Sequence, residues 1–191
     1  MIAANIAVVY DACVLYPAPL RDLLVQLATA RIFRAKWTEL IHDEWTRNLL
    51  IKRPDLNAER LARLRVLMNQ NVPDSLVVDF EDLIPTLELP DPNDRHVLAA
   101  AIIAEAKIIV TFNLKDFPAS ILSNYGIIAQ HPDVFIAATI DQHPQQTLQA
   151  VATIIARLKH PPQTFDDHLE TLANQGLPIS VAMLRDLHRG D

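Results

Sequence analysis

The stretch Asp91-Pro92-Asn93-Asp94-Arg95-His96-Val97-Leu98-Ala99-Ala100-Ala101-Ile102-Ile103-Ala104-Glu105-Ala106-Lys107-Ile108-Ile109-Val110-Thr111-Phe112 decides the fold. Pro92 has a fixed φ and no amide hydrogen to lose, so it can open a helix, predicted over residues 92–106. Within a residue or two the chain becomes the continuous, β-branched apolar run Ile108 to Phe112, which reads as a buried strand. A helix that runs straight into such a strand is half of a βαβ crossover. It implies a parallel sheet with helices packed on its faces.

The rest of the chain extends this pattern. Ile6 to Tyr10 is a second short apolar run, bounded by Asp11, and reads as a central strand. Pro17 and Pro19 open a helix whose periodic face is Leu20, Leu23, Leu24, Leu27, Ala28 and Ile32. Thr38 is a predicted N-cap for a helix to about Leu50, stopped by Pro54, and Asn57 caps another carrying Leu61, Leu64, Leu67 and Met68. Further strands are predicted at Leu76-Val77-Val78 and Ile127-Ile128-Ala129. From His131 onward only helical segments are expected, near 132–140, 144–159, 164–174 and 178–188, punctuated by Pro161-Pro162 and Gly176-Leu177-Pro178. The expectation is an α/β domain over residues 1–130, a central parallel sheet flanked by helices, followed by a C-terminal helical extension over residues 131–191.

Half of the 191 residues are hydrophobic, enough for a substantial core. A single cysteine, Cys13, excludes an internal disulfide framework and multi-cysteine zinc motifs, and fits a reducing, cytoplasmic setting. Residues 1–5 lack the basic region of an export signal. The longest apolar run, Val97 to Ala104, is far short of the ~18 residues that span a bilayer. Three glycines leave no phosphate-binding loop or dinucleotide fingerprint, and the seven histidines lack H-x-x-x-H zinc spacing. The net charge of -6 argues against indiscriminate nucleic-acid binding, but residues 21–65 carry ten Lys/Arg against six acids. Arg21, Arg60 and Arg63 in that stretch are the candidate contacts for a polyanion; the alternative is that these arginines only solvate helix faces.

Four acids carry the chemistry. Asp11 interrupts an apolar run at a strand end, where an unpaired buried carboxylate would cost several kcal/mol. It therefore needs partners, unless it caps the following turn. On the second predicted helix, Leu40, Ile41, Trp45, Leu49 and Ile51 mark one face at about 100° per residue, and Glu44 and Asn48 fall inside that arc while Asp43 points away. Asp91 is placed to N-cap the helix that follows. Asp94 lies in its first turn, where it can complement the helix dipole or hold a cation. Thr111, Asn113 and Asp116 follow the next strand, and ligands in open α/β sheets gather outside the carboxyl ends of strands. Carboxylates about 4 Å apart repel by roughly 1 kcal/mol in water and about 4 at intermediate dielectric. A cluster of Asp11, Glu44, Asp94 and Asp116 would therefore need protons or a divalent cation, and at neutral pH the cation is the simpler answer.

These segments, Val9-Tyr10-Asp11-Ala12-Cys13-Val14-Leu15, Ile41-His42-Asp43-Glu44-Trp45, Asp91 to Ala101 and Ile109-Val110-Thr111-Phe112-Asn113-Leu114-Lys115-Asp116-Phe117, resemble the PIN-domain ribonucleases, particularly VapC-like toxins of bacterial toxin–antitoxin modules. The resemblance covers roughly residues 6–130. It implies a three-layer fold, with Asp11, Glu44, Asp94 and Asp116 in the family's acidic positions. It also implies Mg²⁺ or Mn²⁺ as cofactor, RNA as substrate cut to a 3′-hydroxyl and a 5′-phosphate, and a cognate antitoxin as partner. Two departures stand out: Cys13 occupies a position where Ser, Thr or Asn is frequent, and Asn113 one where Asp is common.

The reading is a metal-dependent endoribonuclease, a toxin, with an antitoxin and a homodimer as candidate protein partners and no membrane association. Two alternatives remain. A HAD-like phosphatase would use Asp11 as nucleophile but wants an acid where Cys13 stands, and a non-catalytic RNA- or protein-binding module could keep the same fold.

Overall fold

The computed structural model describes residues 6–190, so the N-terminal segment 1–5 lies outside the described residues. Its centre is a four-stranded, all-parallel sheet in the order β2-β1-β3-β4. Strand β1 (Ala7–Tyr10) is buried along its whole length, as a near-continuous apolar run in a two-face-covered sheet should be. It leads into a single helical turn, α1 (Ala12–Leu15), and then α2 (Ala18–Thr29), whose Leu20, Leu23, Leu24 and Leu27 are fully buried. The Tyr10 hydroxyl donates to the Leu24 carbonyl at 3.1 Å, so the one polar side-chain atom of this central strand is satisfied by α2.

Strand β2 (Arg34–Lys36) pairs with β1 in the register Val8 to Ala35. This corrects the expectation of a strand at residues 76–78: there, only Leu76 forms an isolated bridge, to Trp37, while Leu76 and Val78 are exposed. An edge strand with one covered face needs only one inward apolar side chain, and Ala35 supplies it; the flanking Arg34 and Lys36 hide the strand from a hydrophobicity reading.

Helix α3 (Glu39–Lys52) is capped by Thr38, whose side chain accepts from the Ile41 amide at 3.1 Å. Helix α4 (Ala58–Asn71) is capped by Asn57, which accepts from the Glu59 and Arg60 amides. Both caps were predicted. Residues Pro92–Asp94 form a 3₁₀ turn that tightens the entry to α5 (Arg95–Ile103). Then come β3 (Ile108–Val110), the short α6 (Ala119–Leu122) and β4 (Ile128–Gln130), which pairs parallel with β3.

The remaining helices are α7 (Pro132–Gln142), α8 (Pro144–Arg157), α9 (Phe165–Ala173) and α10 (Pro178–Gly190). Helix α8 packs on α2, and α10 on α7 and α9. Val151, Leu169 and Leu172 are fully buried, while Leu148, Ile155 and Leu158 are partly buried against the same core. The α7–α10 contact is pinned by Asp133, itself buried. Its carboxylate accepts from the Ile179 amide (2.9 Å), the Ser180 amide (2.8 Å) and the Ser180 hydroxyl (2.6 Å), capping α10 from a distant helix. Among the described residues, no helix is long and apolar enough to cross a membrane.

Candidate metal centre

Asp11 sits where β1 ends, its backbone amide still donating to the Val110 carbonyl of β3 at 3.1 Å. It occupies the N-cap position of α1, yet its side chain makes no capping bond. The carboxylate instead accepts from the Thr111 hydroxyl at 2.6 Å and from the Cys13 thiol at 3.0 Å. Cys13 in turn receives the Phe112 amide at 3.3 Å. The thiol therefore supplies the polar contact that its presence put in question. Burial raises the Asp11 carboxyl, the bonds from Cys13 and Thr111 pull it down, and the charge of Glu44 raises it again. Burial, then the charge of Asp11, pushes the Cys13 thiol well up, so Cys13 is a donor here rather than a nucleophile.

Glu44 is half-buried on α3 and accepts from His96 Nε2 at 3.2 Å. Asp43 turns outward and pairs with Arg65 at 2.7 Å. The helical-face argument chose between the two acids, but its arc needs correction. The buried side is Ile41, His42, Trp45 and Thr46, whereas Leu40 and Ile51 are 41% and 73% exposed. Glu44 and Asn48 lie at the edge of the buried face rather than inside it, with Asn48 exposed. His42 is buried because both ring nitrogens are used: Nε2 lies 3.1 Å from Asn69 Oδ1, and Nδ1 accepts from the Trp45 indole at 3.0 Å.

Asp91 is the N-cap, accepting from the Asn93 amide at 2.9 Å. Asp94, three residues on, is buried at 8% exposure, and its Oδ2 is buried without a hydrogen-bond partner. Its carboxyl is pushed up to about 7, first by desolvation and then by the charges of Asp11, Asp91, Asp116 and Glu44. Asp116 is half-buried at the end of the 3₁₀ turn Leu114–Asp116, which Asn113 opens from an exposed position. The acids from β1, α3, the start of α5 and the turn after β3 thus act on one another electrostatically. They do so without forming a ready-made cage: among the described residues, no three His, Cys, Asp or Glu side chains stand as an ion-holding group.

Such carboxylate oxygens suit a hard divalent cation. The unpartnered Asp94 Oδ2 marks the point where a cation would relieve both the desolvation and the like-charge repulsion.

A family model described as PIN domain matches residues 7–115, more than half of the chain. The chain belongs to the PIN-domain family. A second model, described as VapC50 C-terminal domain, matches residues 132–186. Among characterised proteins the chain is similar to "Putative ribonuclease VapC50" of Mycobacterium tuberculosis, with 40% identity over 108 residues; the match spans 56% of this chain and 63% of that relative. No solved structure matches the chain. Among the expected RNA contacts, one departs from the sequence reading. Arg21, expected to contact RNA, is 5% exposed, donates to the Leu15 carbonyl at 2.8 Å and lies over the Trp45 ring at 4.7 Å. It clamps α1 to α3 instead. Arg60 and Arg63 are exposed on α4, Arg63 beside Glu59. Sequence reasoning missed His96, although its place two residues after Asp94 on the same helix was a usable signal.

Proposed function

We propose that the protein is an endoribonuclease of the VapC toxin type that uses Mg²⁺ or Mn²⁺ at the carboxylate cluster. The observation that carries this reading is Asp94, buried with an unpartnered oxygen and facing other acids. Asp11, Glu44, Asp94 and Asp116 would hold the ion. When bound, it would polarise a phosphodiester oxygen and lower the pKa of an attacking water.

The chain's own residues do the rest. Thr111 and Cys13 fix the orientation of Asp11 through two hydrogen bonds to one oxygen, which leaves the other for the ion. His96 does the same for Glu44. Asn113 stands beside the cluster without a charge, so Asp116 is the sole acid of its turn. The similarity to a named ribonuclease supports RNA as substrate, and the toxin type carries with it a cognate antitoxin as partner and a cytoplasmic setting. A homodimer remains part of the same proposal. We take residues 131–191 to be a helical extension that supports the nuclease body rather than supplying chemistry.

The test is incubation of purified protein with total cellular RNA, with Mg²⁺, with Mn²⁺ and with chelator, followed by mapping of cut ends. Metal-dependent cuts bearing 5′-phosphates are expected. RNA left intact under every metal condition would overturn the proposal. A trapped aspartyl-phosphate on Asp11 would instead favour the phosphatase alternative.

A further inference from the structure

The carboxylate cluster does not end at its acids. Beside it runs a groove of about 350 Å³, whose wall includes Glu44 and Cys13 from the cluster and then Tyr16, Asn48, Ile51, Lys52 and Asn113. That size lies within the range of small-molecule clefts, about 300–1,000 Å³. Tyr16 follows α1 directly, so the same turn that carries Asp11 and Cys13 also delivers an aromatic ring to the groove. Lys52, at the end of α3, places its ammonium 5.6 Å from the centre of that ring. Ile51 is 73% exposed, and the amides of Asn48 and Asn113 are exposed and can each donate and accept.

We propose that this groove is a nucleotide subsite. In it, Tyr16 and Ile51 hold the unstacked base adjoining the scissile phosphate, Lys52 pairs with a flanking phosphate, and Asn48 and Asn113 meet the base edge. The inference rests on the ribonuclease reading and deepens it by assigning to Tyr16, Ile51 and Lys52 the placing of one nucleotide of an unpaired strand. A base can lie against the Tyr16 ring and meet the two amides that line the groove only after leaving its stack, and a duplex keeps its bases inside. The groove brings a cation, an aromatic face and neutral amides together beside the cluster, and that combination suits nucleic acid rather than a small anion. Lys52 sits on a flexible stem, so it can move to a phosphate and yield the ring face to the base.

The experiment measures binding of a labelled RNA oligomer in chelator, single-stranded and as a duplex of the same sequence. It then measures steady-state cleavage in Mn²⁺, using the parent protein, Tyr16→Ala, Tyr16→Phe and Lys52→Ala. Tyr16→Ala should weaken single-strand binding by roughly 10- to 100-fold and raise KM more than it lowers kcat, while Tyr16→Phe keeps the ring and binds like the parent. Lys52→Ala, at an exposed position where folding is not at stake, should reduce the slope of log affinity against log salt by about 0.7. The duplex should bind weakly and be cut slowly. A parent that cuts single strands, with Tyr16→Ala and Lys52→Ala unchanged in KM and salt slope, would overturn the subsite alone. Equal cutting of duplex and single strand would do the same. A parent that cuts nothing in Mg²⁺ or Mn²⁺, yet loses single-strand binding on Tyr16→Ala, would overturn the nuclease reading and leave the groove standing as a binding site.

Discussion

Two buried aspartates, one in each part of the chain, show opposite ways of placing a carboxylate inside a protein. Asp133, under the C-terminal helices, receives two backbone amides and a hydroxyl. Asp94, at the mouth of the sheet, has an oxygen with no donor and is surrounded by other acids. The first is what structural burial requires, since an ionised carboxylate out of water must be hydrogen-bonded. The second is a cost that a positive charge or a proton would offset, and on the proposed reading it belongs to the nuclease site. Acidity alone does not distinguish them; the supply of donors does.

Asp94→Asn tests that contrast with the largest effect. Metal-dependent RNA cleavage should fall by ~100-fold or more, because one ligand of a shared ion is lost. In chelator the variant should melt at or above the parent, since a neutral amide removes repulsion. Initial rates and thermal melts check both. If Asp94→Asn melted lower in chelator, Asp94 would be a structural carboxylate like Asp133.

Asp133→Ala should do the reverse. It leaves the Ile179 and Ser180 amides without their acceptor, at a cost of about 2–4 kcal/mol. In a chain of this length that is a fall in melting temperature of roughly 5–15 °C. Cleavage per folded molecule should stay near the parent's, as measured after correcting for the folded fraction by denaturant titration.

The two sites should also differ with pH. Asp94 has a folded-state value of about 7, above the 3.8 of an ordinary aspartate. Folding therefore takes up a proton, and the contribution of Asp94 is most favourable below about pH 4, declines as pH rises, and is fully lost above about pH 7. The gap in melting temperature between Asp94→Asn and the parent should widen from pH 4 to pH 8 in chelator. Saturating Mg²⁺ or Mn²⁺ should narrow it by stabilising the parent, by ~2.7 kcal/mol at a hundred times Kd. A gap that stays constant across this range would remove the protonation argument.

The smallest effect belongs to Asp43→Asn, next to the far more sensitive Glu44. Asp43 makes an exposed pair with Arg65, so the change should cost under about 1 kcal/mol and leave cleavage within roughly twofold. Glu44→Gln should lose most activity. Equal loss in both variants would dissolve the distinction between the two faces of α3.

Much of this contrast was legible in the chain. The strands β1 and β3 announced themselves because both faces are covered and their residues are apolar throughout, and three helix starts followed from Thr38, Asn57 and Asp91 at cap positions. Strand β2 was not legible, because only Ala35 faces inward between Arg34 and Lys36. Leu76-Val77-Val78 misled for the converse reason: its composition favours a strand, but only Leu76 finds a partner. Arg21 was misread from its charge. It lies seven residues before the buried Ala28, on nearly the same helix face, and periodicity would have placed it inward. The four acids were named from strand ends and helix faces, but the missing donor at Asp94 depends on which side chains surround it, and that needs three dimensions.

The remote cap on α10 has a consequence for the order in which the chain is made. Asp133 leaves the ribosome 46 residues ahead of the first amide that answers it. Synthesis runs from the N-terminus, so the sheet and its acids are already outside while Asp133 waits for its donors. A chain halted before Pro178 is therefore not simply shorter. It carries an Asp133 carboxylate without the donors it meets in the folded protein, so the junction of α7 and α10 closes only once α10 has been made.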